Sequence, residues 1–148
     1  MKIIIKKEYD GQFYVGSCEN VPGCYVQARS EDELRKRIHR ALLIIKKSCQ
    51  LKSQPFPTGS DRPILNLKIR FKDLSTDQLV KILESHQYHL EYMDEQSVLL
   101  VNTEFPFNRI HLPRSTSLSP LLVEKIFGKE NTIWVGSRKN LKLSRSVS

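Results

Sequence analysis

Leu34, Ile38, Ala41, Leu42, Ile45 and Cys49 recur at steps of three and four, and this apolar stripe constrains the chain more than any other feature. The spacing puts all six on one face of a helix, with Arg35, Lys36, Arg37, His39, Arg40, Lys46 and Lys47 mostly elsewhere. A helix with one apolar face needs a surface to cover it. Ser30-Glu31-Asp32-Glu33 marks its start as a capping box, in which the serine hydroxyl accepts from a free backbone N–H and Glu33 reaches back to the cap. Upstream, Phe13-Tyr14-Val15 and Cys24-Tyr25-Val26 are aromatic, β-branched or thiol residues that suit a half-buried pleated surface. Val21-Pro22-Gly23 between them predicts a type II turn, because proline fixes φ and glycine admits a positive one. The stretch from Phe13 to Lys47 is therefore predicted as strand, turn, strand, helix, with the helix lying on the sheet.

Lys2 to Glu8 reads as an earlier strand, turned into the second by Tyr9-Asp10-Gly11-Gln12, since Asp-Gly is a strong hairpin signal. Beyond Cys49, Pro55, Pro57, Pro63 and Gly59 break any helix, so Gln50 to Pro63 reads as a loop. Ile64 to Phe71 then alternates, with Leu65, Leu67, Ile69 and Phe71 on one face, and predicts a fourth strand that closes a first unit.

A second unit starts at a second capping box, Ser75-Thr76-Asp77-Gln78, followed by Leu79, Ile82 and Leu83 at helical spacing. Three strand-like runs come next, Tyr88 to Met93, Ser97 to Val101 and Asn108 to Leu112. Ser119-Pro120 sets an N-cap before a proline suited to a first helical turn, and Leu121, Leu122, Lys125, Ile126 and Phe127 carry that helix to Gly128. Thr132 to Gly136 offers a small edge strand or an anchoring aromatic, and Ser137 to Ser148 a mobile basic tail. The fold class is α+β, in two small domains at residues 1–72 and 73–136.

No run approaches the roughly 20 apolar residues of a membrane span. Met1 to Ile5 is followed at once by Lys6-Lys7-Glu8, which does not read as a signal-peptide core, so the expected location is the cytoplasm. Cys18, Cys24 and Cys49 are read as reduced, packed thiols, and no His or Cys cluster has zinc spacing; neither metal nor cofactor is expected. The net charge of +8 divides unevenly, as +8 over residues 1–72, −4 over 73–136 and +4 over the last twelve. Opposite signs fit two docking halves, or a basic half used by a partner, better than a chain coated uniformly by RNA.

Residues 1–72 resemble the HicB antitoxin family, through Asp10-Gly11-x-Phe13-x-Val15, Val21-Pro22-Gly23-Cys24, the strand to Ala28, Ser30-x-x-Glu33-Leu34 and a proline-bearing linker to a last strand. Residues 73–128 resemble the HicA toxin family. That likeness rests on Ser75-x-x-Gln78-Leu79-x-x-Ile82-Leu83, the Tyr88 to Ser97 hairpin, Ile110-His111-Leu112-Pro113 and Ser119-Pro120-Leu121 with Lys125-Ile126. The resemblances imply a partial RNase H-like β-β-β-α-β unit followed by an α-β-β-β-α unit similar to double-stranded-RNA-binding domains. They also imply docking of the HicA–HicB type, within one chain or between chains, with homo-oligomers, a HicA-type toxin and RNA as partners.

HicA toxins resemble ribonucleases that use a histidine just after a Gly-Ser pair on the second strand. Aligning Ser97 with that serine puts Val98 at the histidine position, and valine exchanges no proton near neutral pH. The resemblance therefore implies a pseudoenzyme. His89 and His111 are fallback catalytic candidates, read by strand alternation as surface or edge residues. The helix cations Arg35, Lys36, Arg37 and Arg40 are the candidates for nucleic-acid binding. A non-enzymatic regulator or interaction module leads, with a self-inhibited ribonuclease and a nucleic-acid binder as the alternatives.

Overall fold

Asp10 makes the first turn: its Oδ1 accepts from the backbone N–H groups of Gln12 and Phe13, at 2.7 and 2.6 Å, and reverses the chain between β1 (Ile5–Tyr9) and β2 (Tyr14–Cys18). The structure is a computed structural model and describes residues 2–59, 69–71, 74–128 and 132–134. The remaining elements are β3 (Val21–Ala28), α1 (Glu31–Leu51), β4 (Ile69–Phe71), α2 (Thr76–Glu84), β5 (Tyr88–Met93), β6 (Ser97–Asn102), β7 (Arg109–Pro113), α3 (Pro120–Phe127) and β8 (Thr132–Trp134). The class is α+β.

Six strands form one sheet in the order β1-β2-β3-β7-β6-β5. Its two ends are antiparallel meanders, β1-β2-β3 and β7-β6-β5, and they meet through parallel pairing of β3 with β7, with Cys24 opposite His111. Strands from residues 1–72 and from 73–136 therefore share one hydrogen-bonded surface. Helix α1 covers one face, where Leu34, Ile38, Ala41, Ile45 and Cys49 pack with Val21, Cys24, Val26 and Leu99. The other face carries α2 and α3, whose Leu79, Leu83, Leu122, Val123 and Ile126 pack with Val98, Leu100, Ile110 and Leu112 and also with Val15 and Tyr25. With both faces covered, the central strands β6 and β7 are buried on each side, and the α1 face of β7 carries Arg109 and His111. Among the described residues, no helix is long and apolar enough to cross a membrane.

The expected turn at Val21-Pro22-Gly23 is displaced. The chain reverses at Glu19-Asn20, and Pro22 and Gly23 lie inside β3, where the ladder to β2 jumps from Cys18↔Val21 to Ser17↔Tyr25. They form a bulge. Gly23 has φ +88°, and a Cβ there would sit 1.8 Å from the carbonyl oxygen of Arg109 on β7. Glycine is required by this close approach of two strands as much as by its dihedral.

The fourth strand is also corrected. Of the predicted span, residues 64–68 lie outside the described residues. Ile69–Phe71 pairs with β8 in a separate two-stranded parallel sheet and does not join β1–β3. The basic tail from Ser137 lies outside the described residues.

Capping follows the sequence in part. Ser75 and Gln78 form a complete box, with both reciprocal bonds made. Ser30 accepts from the Glu33 N–H, but the Glu33 carboxylate turns to Arg37, 2.6 Å away, so only half of the predicted box forms. Ser119 stands at the N-cap of α3 without a side-chain capping bond, and its hydroxyl donates to Asp10 Oδ2 at 2.5 Å. The three thiols are free and buried. A thiol hydrogen bond joins Cys18 to Cys24; it lowers the pKa of Cys18 against the effect of burial, and together with burial it raises that of Cys24.

Candidate functional site

Ser48 is the polar exception on the buried face of α1, one turn beyond Ile45, and it touches down on the sheet where β5, β6 and β7 pass beneath the helix. Arg109, at the start of β7, donates from Nε to Ser48 Oγ at 2.8 Å and from its other nitrogens to Gln54 Oε1 and to the Phe107 carbonyl. Ser48 in turn donates to Glu91 of β5, whose other oxygen lies 3.4 Å from Lys52 Nζ. Arg109 is only 4% exposed, and its charge is met through this relay. A buried charge left without such partners would be strongly destabilising.

Two turns earlier on the helix, Arg40 pairs with Asp94 in the β5–β6 turn. Burial alone would raise the pKa of Asp94. Hydrogen bonds from the Tyr92 hydroxyl, the Gln96 N–H, Arg40 and the Ser97 N–H reverse this and hold it at about 2. The carboxylate is therefore ionised throughout the physiological range.

His111 lies between these two polar links, opposite Leu99 on the ladder and on the α1 face. It is 2% exposed, which corrects the surface or edge placement expected from alternation: α1 covers the face that would otherwise be open. Its Nδ1 is 3.0 Å from the Tyr25 carbonyl, and among the described residues its Nε2 has no hydrogen-bond partner. Burial pushes the imidazole down to about 4, against the opposing pull of the Tyr25 carbonyl, so the ring is neutral at pH 7. Such a ring is shielded from solvent.

The other catalytic candidates are scattered. Val98 is 1% exposed and packs into the α2/α3 core, so a side chain at that position faces apolar packing, away from α1. Ser97 is buried, and its N–H is spent on Asp94. His89 is exposed on β5, opposite Val101, with β6 between it and the strand of His111. The structure does not bring the two histidines together.

Three of the four candidate nucleic-acid cations are engaged within the chain. Arg35 lies 3.8 Å from Asp32, Arg37 holds Glu33 and the Gln27 carbonyl, and Arg40 holds Asp94. Lys36 is exposed and makes no ion pair among the described residues. No group of three or more His, Cys, Asp or Glu side chains that could hold a metal ion occurs among the described residues.

Over 40 residues the chain is 45% identical to a UPF0150 protein of Archaeoglobus fulgidus. The matched stretch is 27% of this chain and 56% of that protein, so the chain spans little more than half of its relative's length. No family model and no solved structure matches.

Sequence reasoning missed Ser48, Gln54, Glu91, Asp94 and Arg109. One signal was present, a serine at a stripe position of α1, where a polar group on a buried face needs a partner. Arg109 carried none, because a strand-initial arginine next to a loop reads equally well as solvated.

Proposed function

We propose that this chain is a toxin–antitoxin-related regulatory or interaction protein of the cytoplasm, in which a HicB-like segment lies docked on a HicA-like segment that has lost its catalysis. The reach of α1, which packs chiefly on β2 and β3, across the seam to β6 and β7 carries this reading. The face it reaches there holds His111, and the helix closes it with Ser48, Arg40 and apolar side chains. The partial similarity to a UPF0150 protein and the HicB-type motifs before Phe71 support the toxin–antitoxin context. An accessible group able to exchange a proton near pH 7 is a basic need of RNA cleavage by 2′-hydroxyl attack, and the covered His111 does not supply one. The remaining partners on this reading are a HicA-type toxin or a further copy of the chain.

A second reading is favoured by one observation, the buried Nε2 of His111 that has no partner among the described residues. On this reading α1 is a built-in inhibitor, and the chain is a self-inhibited ribonuclease.

RNA cleavage in the presence of chelator separates the two, using the full chain, Arg40→Ala to loosen α1, and His111→Ala and His89→Ala placed on that background. No cleavage by any variant is the result expected for a binding module. Cleavage that appears with Arg40→Ala and disappears when His111→Ala is added would replace it with the self-inhibited nuclease. RNA retention that falls steeply with salt, without cleavage, would point to a nucleic-acid binder.

A further inference from the structure

Of the five strand pairings in the six-stranded sheet, β3–β7 alone is parallel, and the chain leaves these two strands in opposite directions. After Ala28 it crosses to α1 on one face; after Pro113 it crosses through residues 114–119 to α3 on the other. Adjacent parallel strands whose connections part in this way leave a crevice beyond their carboxyl ends, the place where open sheets of this kind take ligands. A cavity of about 300 Å³ opens there.

Its walls are cationic and hydroxylic. Arg29, Arg37 and Arg114 line it together with Ser115 and Thr116, and the single carboxylate, Glu33, is already paired with Arg37. Two guanidinium charges are left without a carboxylate in the cavity wall.

The wall is also held in place before any ligand arrives. Arg37 donates from Nη1 to the Gln27 carbonyl at 2.8 Å, Arg114 donates to the Asp94 carbonyl at 2.9 Å, and the Arg29 guanidinium stacks 4.9 Å from the Phe13 ring centroid. Gln27 is 3% exposed and fixes the loop after β7: its Nε2 donates to Ser115 Oγ and the Ser117 carbonyl, and its Oε1 accepts from the Ser119 N–H. A buried glutamine with both ends satisfied holds that loop against the end of β3. Guanidinium forks on fixed partners recognise tetrahedral oxyanions bidentately.

The geometry points to a binding site for the phosphate group of a small organic phosphate at the carboxyl ends of β3 and β7, with Arg29 and Arg114 as its principal ligands. Phe13, half-buried beneath Arg29, also lines the cavity and adds apolar contact beside the anion, which suits an attached ring such as a nucleobase. The volume fits one mononucleotide, at the small end of the usual ligand-pocket range.

Calorimetric titration of the full chain with inorganic phosphate and with adenosine 5′-monophosphate tests this. Saturable binding of one or both is expected, weakened roughly tenfold by Arg29→Gln and by Arg114→Gln. Arg29→Lys keeps the charge but loses the fork, and should fall between wild type and Arg29→Gln. Lys46→Gln, on the exposed face of α1, should bind as wild type does. Thermal melts of each variant check folding: Arg114→Gln gives up its bond to the Asp94 carbonyl, whereas Arg29 is exposed and its substitution leaves the backbone bonds intact. The proposal is overturned if neither small phosphate binds, or if binding survives both arginine-to-glutamine substitutions. Binding of an oligoribonucleotide but of neither small phosphate also overturns it, and assigns the charge to an extended polyanion.

Discussion

His111 Nδ1 lies 3.0 Å from the carbonyl oxygen of Tyr25, so a side chain of β7 donates across the parallel seam to the backbone of β3. A carbonyl only accepts, which places the proton on Nδ1 and leaves Nε2 as the bare acceptor. Protonating that nitrogen would put a charge in a closed layer shielded from water.

Stability should therefore depend on His111 in mildly acidic solution. The folded-state value is about 4, below the ordinary value of 6.5, so the unfolded chain binds the proton more readily. The contribution is complete above pH 6.5 and is lost as pH falls from there toward 4, by about 3 kcal/mol at most. Denaturant midpoints measured across this window should fall for the wild type, and more gently for His111→Leu.

Asp94 titrates in a different window. Held at about 2 against an ordinary 3.8, it contributes stability above 3.8 that disappears as pH falls through 2. Asp94→Asn should remove that acid-limb dependence and cost roughly 2 kcal/mol at neutral pH, since several donors lose an ionised acceptor. A double-mutant cycle with Arg40→Ala should give a coupling of about 1 kcal/mol or less, because the Arg40 side chain is 46% exposed.

Gly23→Ala should be costly. The new methyl would meet the Arg109 carbonyl at 1.8 Å from a residue already at φ +88°, and the two strands must part to admit it. A loss of roughly 3 kcal/mol is expected in urea unfolding. Gly11→Ala is the contrast: it shares a positive φ, at +97°, but meets nothing within 4 Å, so only the dihedral cost of about 1 kcal/mol should appear.

The helix caps should rank by the bonds they make. Ser75→Ala breaks a complete box and should cost about 1 kcal/mol, read from the shift in melting temperature. Ser30→Ala breaks one capping bond and should cost less, because Glu33 already serves Arg37 rather than the cap.

Local pattern revealed the elements, and long-range pairing decided what they became. The stripe from Leu34 to Cys49, the Asp10 turn, the Ser75 box and the order of α2, β5, β6, β7 and α3 were legible because each is set by residues a few positions apart. The fate of Pro22 and Gly23 was not, since a bulge and a turn make the same demand on glycine; only the arrival of Arg109 from β7 distinguishes them. His111 was misplaced for a related reason. Alternation identifies which face of a strand a residue takes, and it is silent on whether a helix from far away lies over that face. The polar layer beneath α1 was illegible as a unit, because Ser48, Glu91 and Arg109 come from three distant segments.

The parallel seam also shapes how the chain reaches this fold. Tyr25 and His111 are 86 residues apart, while the β1–β2, β5–β6 and β6–β7 pairings close over short loops. Loop-closure entropy makes the distant pairing the last to be rewarded, so the two outer meanders can form early and the middle of the sheet assembles late. Until the seam closes, β3 and β7 each present an unpaired edge, and the same edge on another chain answers it equally well. Dilution during refolding should then decide whether β3 finds the β7 of its own chain or that of a neighbour.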